Sequence, residues 1–355
     1  MINKSSTLNN LLNILLPLIL PYVDVENFRI YLLGFILQER WFSTYSISKR
    51  NTTKSLWQLY NSLKSDIKWN KVFYTLAKRM LSLLPQEDWY LVVDGTPLNQ
   101  QYARNRITRQ GLKSIEGMKN VPHNELISLA LTNGVIYIPL NFKIWTSKKV
   151  TKPNEYRKKT DMFFSLVYEY LIMKLPVKSL LFDNYFASAS HLNWLIDKGF
   201  IWTTRIKSNK KVKYGKKNCK LTELDIGLNE SLLLQLVGVC GYVKVIRICH
   251  RNEDVYIATN DMDISDKDLI RMYKKRWTVE EFHRESKQHL GLEYIYIRSW
   301  QKLQNHVGFV CLSYGLLSVL RNEWGGSIGD MKYIIHDEVY QIHNAHERFV
   351  EKLAS

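Results

Sequence analysis

Residues 273–287 read YKKRWTVEEFHRESK, and the spacing inside this stretch decides how the rest of the chain is read. A helix turns about 100° per residue, so offsets of 3, 7 and 14 return to nearly the same side. On one helix, Tyr273, Arg276, Glu280 and Lys287 therefore form a stripe, with His283 beside it and Arg284 on the other flank. Val279 and Phe282 point the opposite way, toward a core. Glu281 lies about 100° off the stripe and reads as a surface acid or an ion-pair partner. An acid set among a tyrosine and several cations suits a metal ion and a phosphodiester backbone. A solvated amphipathic helix with an Arg276–Glu280 pair is the plain alternative.

The bulk numbers narrow the choice. The 355 residues carry 50 Lys and Arg against 33 Asp and Glu, a formal charge of +17. That surplus favours a polyanionic partner, nucleic acid before an anionic membrane. Hydrophobic residues make up 46% of the chain, enough for a sizeable core and too many for global disorder. Cys219, Cys240, Cys249 and Cys311 show no CxxC spacing, so neither a zinc site nor a disulfide framework is indicated. The apolar stretch around LLNILLPLILPYV is broken by Pro17 and Pro21 and is too short to span a bilayer. These features fit a cytoplasmic, nucleoid-associated protein with no membrane partner. There is no GxxxxGK[ST] motif, so no nucleotide cofactor is implied.

Periodicity divides the chain. Segments 25–42, 53–64 and 68–84 carry helical spacing, with Thr52 or Thr53 as a cap for the second. With Lys49, Arg50, Lys54, Lys64, Lys68 and Lys71, residues 1–86 suit a small helical DNA-binding domain. From residue 89 the pattern is strand-like: WYLVVDGTPL ends in Asp94 and Gly95, and two more strands join through a turn at Asn133-Gly134. A helix capped by Thr160 or Asp161 follows, then the strand VKSLLFDNYFAS ending in Asp183, then a helix closed by Gly199. Residues 201–220 hold eight cations and no acid: Arg205, Lys207, Lys210, Lys211, Lys213, Lys216, Lys217 and Lys220. Strand patterns continue to about residue 262.

Asp94 and Asp183 each follow an apolar strand, and Glu280 lies on a later helix. Taken singly, an aspartate after a strand is usually a turn former. Converging at one sheet edge, the three make a hard-oxygen set suited to Mg²⁺. Two such ions activate an attacking oxygen and stabilise a leaving one in phosphodiester chemistry.

At this point the chain resembles the DDE transposases of bacterial insertion sequences. The resemblance rests on the group with the signature Y, two residues, R, three residues, E, six residues, K, met here by Tyr273, Arg276, Glu280 and Lys287. The blocks VVDGT and FDNYFAS resemble the two aspartate blocks of that family. The resemblance implies a mixed α+β chain: a ribonuclease-H-like catalytic core in two parts, 87–200 and 263–355, with a β-rich basic insertion at 201–262. It implies that Asp94, Asp183 and Glu280 hold two Mg²⁺ ions, with Mn²⁺ as a substitute. Tyr273, Arg276 and Lys287 would contact DNA phosphates, joined by His283, Arg284, Arg205, Lys207, Lys210 and Lys211. The implied activity is cleavage at terminal inverted repeats of double-stranded DNA and strand transfer into target DNA, by a dimer in the synaptic complex. A metal-dependent nuclease on the same fold and a catalytically silent DNA-end-binding protein are the rival readings. Some family members stack an aromatic of the insertion on a flipped base. Here no tryptophan lies between 203 and 276, leaving Tyr214, Tyr242, Tyr256 and the preceding Trp202.

Overall fold

The computed structural model describes residues 12–37, 44–50, 54–84, 86–99, 111–115, 118–148, 151, 154–215, 217–294 and 299–337. The proline-containing apolar stretch forms a 3₁₀ segment, Leu16–Tyr22. It leads into helices α1 (Val25–Leu37), α2 (Thr44–Arg50), α3 (Leu56–Ser62) and α4 (Trp69–Leu83). The expected caps Thr52 and Thr53 lie outside the described residues. Ser55 caps α3 instead, in a reciprocal box with Gln58.

The sheet begins with β1 (Tyr90–Asn99), β2 (Gly111–Ile115), β3 (Met118–Thr132) and β4 (Tyr137–Trp145). Asp94 does not end its strand, as the sequence pattern suggests. β1 runs on to Asn99 because it stays paired with β3, from Tyr90↔Thr132 to Asn99↔His123. The turn between β3 and β4 is built as expected: the Asn133 carboxamide oxygen accepts from the Val135 and Ile136 backbones, and Gly134 takes a φ of +105°. Helix α5 (Lys159–Met173) is capped at Lys158 rather than at Thr160 or Asp161. Asp161 sits at the third helical position and accepts the Lys158 N–H at 3.2 Å. Next come β5 (Leu180–Phe182), α6 (Ala189–Asp197) and β6 (Trp202–Ile206). Gly199, at φ +72°, closes α6 as expected.

β1 is parallel to β5, β5 is parallel to β6, and β3 and β4 continue the other side antiparallel. The spatial order β4–β3–β1–β5–β6 is the ribonuclease-H-like core of a mixed α+β fold. Strands β7 (Lys211–Tyr214), β8 (Lys217–Lys220), β9 (Ser231–Leu236), β10 (Val243–His250) and β11 (Glu253–Thr259) extend the same sheet. They join it where β11 pairs antiparallel with β6.

Helices α7 (Asp266–Lys274), α8 (Trp277–His289) and α9 (Trp300–Trp324) follow. Among the described residues α9 is long and apolar enough to cross a membrane, with a mean hydropathy of 1.3 over its best window, yet 89% of that window is buried in the protein. A helix apolar on all sides belongs in a core, and here α1 and α4 cover it. Phe309 packs against Phe28, Tyr31, Phe35 and Trp69, and the Trp69 indole N–H donates to Asn305 at 2.9 Å. One apolar cluster runs from Leu12 to Ile335. A smaller one, including Tyr90, Leu181, Ile257, Leu269 and Met272, lies under α7.

Candidate active site

The parallel register of β1 and β5 sets up the site. Val93 pairs with Phe182, so Asp94 comes next on β1 and Asp183 comes next just past the end of the adjacent β5. Short apolar runs precede both acids because these strands are buried on both faces.

The signature stretch is not one helix. Tyr273 lies in the last turn of α7, Arg276 stands at the N-cap of α8, and Glu280 and Lys287 lie on α8. Across the junction the chain closes i→i−3 bonds, Lys275 N to Met272 O and Arg276 N to Tyr273 O. The Arg276 guanidinium still lies 5.4 Å from the Tyr273 ring centroid. Val279 and Phe282 are fully buried, as their positions on the helix predict.

Arg276 joins two of the three acids. One guanidinium nitrogen donates to Asp94 Oδ2 at 2.8 Å, and the other pairs with Glu280 Oε1. Asp94 Oδ1 accepts the Gly95 N–H at 2.7 Å. Burial pushes the Asp94 carboxyl up to about 6. Arg276 and the Gly95 N–H oppose that rise, and Asp183 and Glu280 add to it. Burial works against the Arg276 charge, but Tyr273, Asp94, Glu280 and Asp183 outweigh it and hold the guanidinium firmly protonated. Asp183 is half-buried, and its carboxylate makes no hydrogen bond or ion pair among the described residues.

The other expected contacts are distributed unevenly. Lys287 donates to the Pro97 carbonyl at 2.8 Å and pairs with Glu293 at 3.0 Å. His283 is buried, its Nε2 3.5 Å from Ser128 Oγ, and Ser128 is the cross-strand partner of Asp94. Burial first, then Lys287 and Arg276, lower its pKa to about 3. It stands behind the acids as a neutral ring, and contact with DNA would require it to be uncovered. Arg284, Lys207 and Lys211 are exposed, and Arg205 and Lys210 are half-buried. Lys211 lies directly across from Lys220 in the β7–β8 hairpin, while Lys216 is outside the described residues. Among the ring candidates, Trp202 and Tyr256 are buried, whereas Tyr214 and Tyr242 are exposed. In the N-terminal helices Lys54 is paired with Glu26 and Lys68 with Asp66.

Two groups near the site escape a sequence reading. Glu293, which braces Lys287, also accepts the Asn99 N–H at 3.2 Å. Glu125, across from Pro97, pairs with Lys159, and its Oε1 lies 2.9 Å from where a Cβ on Gly95 would fall. Glu281 pairs with Arg321 at 3.8 Å, beside Glu285 at 3.3 Å. The ion-pair reading of Glu281 is met by Arg321.

The donor set fits a divalent cation in kind: three carboxylates share one field, and a guanidinium already sits between two of them. Among the described residues no three His, Cys, Asp or Glu stand close enough together to form a ligand cage.

The ribonuclease-H-like sheet carries Asp94 on β1 and Asp183 just past the parallel β5, with Glu280 on α8. The chain belongs to the DDE-domain transposases: the family model described as "Transposase DDE domain" matches residues 138–316, about half of the chain. The match contains Asp183 and Glu280, and Asp94 lies before it. Among solved structures, the cryo-EM piggyBac transposase synaptic complex with hairpin DNA is 11% identical. That match covers 89% of this chain and 70% of the other, at a TM-score of 0.47. The crystal structure of Endonuclease V from Bacillus subtilis is 9% identical, covering 73% and 95%, at a TM-score of 0.27. No curated protein sequence matches the chain.

Proposed function

We propose that the protein cuts and joins DNA at the ends of its own insertion sequence, with Asp94, Asp183 and Glu280 as the catalytic carboxylates. The observation that carries this reading is the meeting of Asp94 and Glu280 on one guanidinium, with Asp183 at the end of the neighbouring strand. Magnesium or manganese ions held by these acids would activate the attacking oxygen and stabilise the leaving one. Two such ions are proposed, without a nucleotide cofactor.

The remaining roles belong to the chain itself. Lys287, braced by Pro97 O and Glu293, sets a fixed positive charge near the end of β1 for a DNA phosphate. Arg276 and Tyr273 supply a second contact at the α7–α8 junction. Exposed Arg284, Lys207 and Lys211, with half-buried Arg205 and Lys210, extend the basic surface along the DNA. In this proposal residues 1–86 and the insertion at 201–262 bind the terminal repeats, the parts at 87–200 and 263–355 carry the chemistry, and two copies bring two ends together.

A cleavage and joining assay tests the reading. Labelled duplex carrying the gene's own flanking ends is mixed with the protein and Mg²⁺ or Mn²⁺. Metal-dependent nicking at the repeat boundary, followed by joined products and absent in Asp183→Ala, is the expected result. Cutting without joining would make the protein a nuclease, and tight end binding without cutting would make it a silent binder.

A further inference from the structure

We propose that Arg276 couples DNA docking to metal loading: its guanidinium clasps Asp94 and Glu280 together, and a DNA phosphate opens the clasp by drawing the guanidinium onto itself. The inference rests on the reading of Asp94, Asp183 and Glu280 as the metal-holding acids.

Three observations carry it. First, both Asp94 oxygens are engaged, Oδ1 by the Gly95 N–H and Oδ2 by Arg276, and Glu280 Oε1 is held by the same guanidinium. A dication approaching these oxygens meets a fixed positive charge within hydrogen-bond distance of two of its ligands, so the guanidinium and the metal compete for the same space and charge. Second, Arg276 is not fully satisfied where it sits. Its Nε–H is buried and has no acceptor among the described residues. A guanidinium has five N–H donors in a planar fork, and a phosphate can accept from two of them at once. DNA therefore offers Arg276 what the clasp does not. Third, Arg276 stands at a junction. The i→i−3 bonds at Lys275 and Arg276 separate α7 from α8, so the side chain can be redirected without unwinding either helix. Asp183, which the clasp leaves out, is available to the metal in either arrangement.

One substitution should then act in opposite directions on two ligands. Arg276→Gln removes the competing charge and the phosphate fork together, so it tightens metal binding and weakens DNA binding. In the unsubstituted protein DNA and metal bind cooperatively, and each strengthens the other by the same factor.

The experiment measures free Mn²⁺ by electron paramagnetic resonance over the full-length protein. It is run with and without a duplex of the flanking end already cleaved and ending in a 3′-dideoxynucleotide, so that neither cleavage nor joining occurs. DNA should tighten Mn²⁺ binding about tenfold or more in the unsubstituted protein. Arg276→Gln without DNA should match that tightened affinity, gain nothing from DNA, and bind the duplex more weakly. A thermal melt checks its fold. If it does not fold, Arg276→Lys, which keeps the charge and loses the fork, should weaken duplex binding and lower the DNA-induced gain. Equal Mn²⁺ affinity in Arg276→Gln and the unsubstituted protein without DNA overturns the clasp, as does an undiminished gain in Arg276→Lys. Asp94→Asn separates the two failures. If it abolishes Mn²⁺ binding while Arg276→Gln changes nothing, the clasp alone falls. If it leaves Mn²⁺ binding intact, the metal assignment falls and the clasp with it.

Discussion

Helix α8 carries the same chemical arrangement on two sides, with different consequences. On one side Arg276 sits between Asp94 and Glu280, with Tyr273 against it. On the other, Arg321 from α9 sits by Glu281 and Glu285, with the Tyr314 hydroxyl donating to Glu285 at 2.8 Å. The second cluster is closed. Arg321 also donates to the Val135 carbonyl at 2.9 Å, and the Tyr314 phenol, its pKa raised by burial and by Glu285, keeps the proton it donates. The first cluster carries a surplus: Asp183 adds a third carboxylate to a single guanidinium, and the Asp94 carboxyl is raised to about 6. Residue types alone do not distinguish a structural clasp from a reactive site. An uncompensated charge and an unsatisfied donor set the first cluster apart as the candidate site.

Substitutions on the two sides should separate these roles. The largest effect is expected on the reactive side, where Asp94→Asn, Asp183→Asn and Glu280→Gln should each lower metal-dependent nicking by about 100-fold or more with little change in melting temperature. Comparable activity in any of them would remove that residue from the site. Arg321→Leu should do the reverse. It strands Glu285, which is only 7% exposed, and should cost about 3 kcal/mol in a denaturant melt while the folded fraction still nicks DNA.

Next in size is Gly308→Ala, whose Cβ would overlap the Trp69 ring. A loss of about 1–3 kcal/mol is expected, with the N-terminal helices loosened from α9. Unchanged stability would mean that this contact is not held in solution.

Acid should weaken the fold through two buried histidines, His283 behind Asp94 and His306 on α9 beside Phe35 and the Gly291 carbonyl. His283 and His306 have pKa values lowered by burial to about 3 and about 4. The unfolded chain protonates them near pH 6.5, so it binds more protons below that pH and stability falls as pH drops from 6.5 toward 4. The slope should approach about 1.4 kcal/mol per pH unit for each histidine, and His306→Gln should flatten it. The smallest effect is on salt dependence. Lys287→Ala should reduce the slope of log K for DNA against log salt by about 1, and an unchanged slope would argue against a phosphate contact there.

Much of the site was legible because the signature residues are held to fixed offsets along the chain. Glu280, Arg276 and Lys287 could be placed together from spacing, and the strands before Asp94 and Asp183 from their apolar runs. The break between α7 and α8 was not legible, because Lys274, Lys275 and Arg276 carry no proline, glycine or capping signal. The burial of His283 was also hidden, since its helical position leaves it beside the stripe and β3 decides whether it is covered. Glu293, Glu125 and Arg321 lie far in sequence from the groups they brace, so no local pattern could reveal them.

The sequence by itself pointed to the family and the mixed α+β class, and it singled out Asp94, Asp183 and Glu280 as the candidate acids. Local periodicity sets element types, and the chemistry of the site needs particular residues at fixed spacing. Only the tertiary structure decided which charges are paired and which are left in excess. Arg276 meets Asp94 across 182 positions of chain, and Arg321 meets Glu285 across 36. Such pairings follow from strand order and helix packing, and they determine whether an arginine among carboxylates closes a clasp or guards a reactive site.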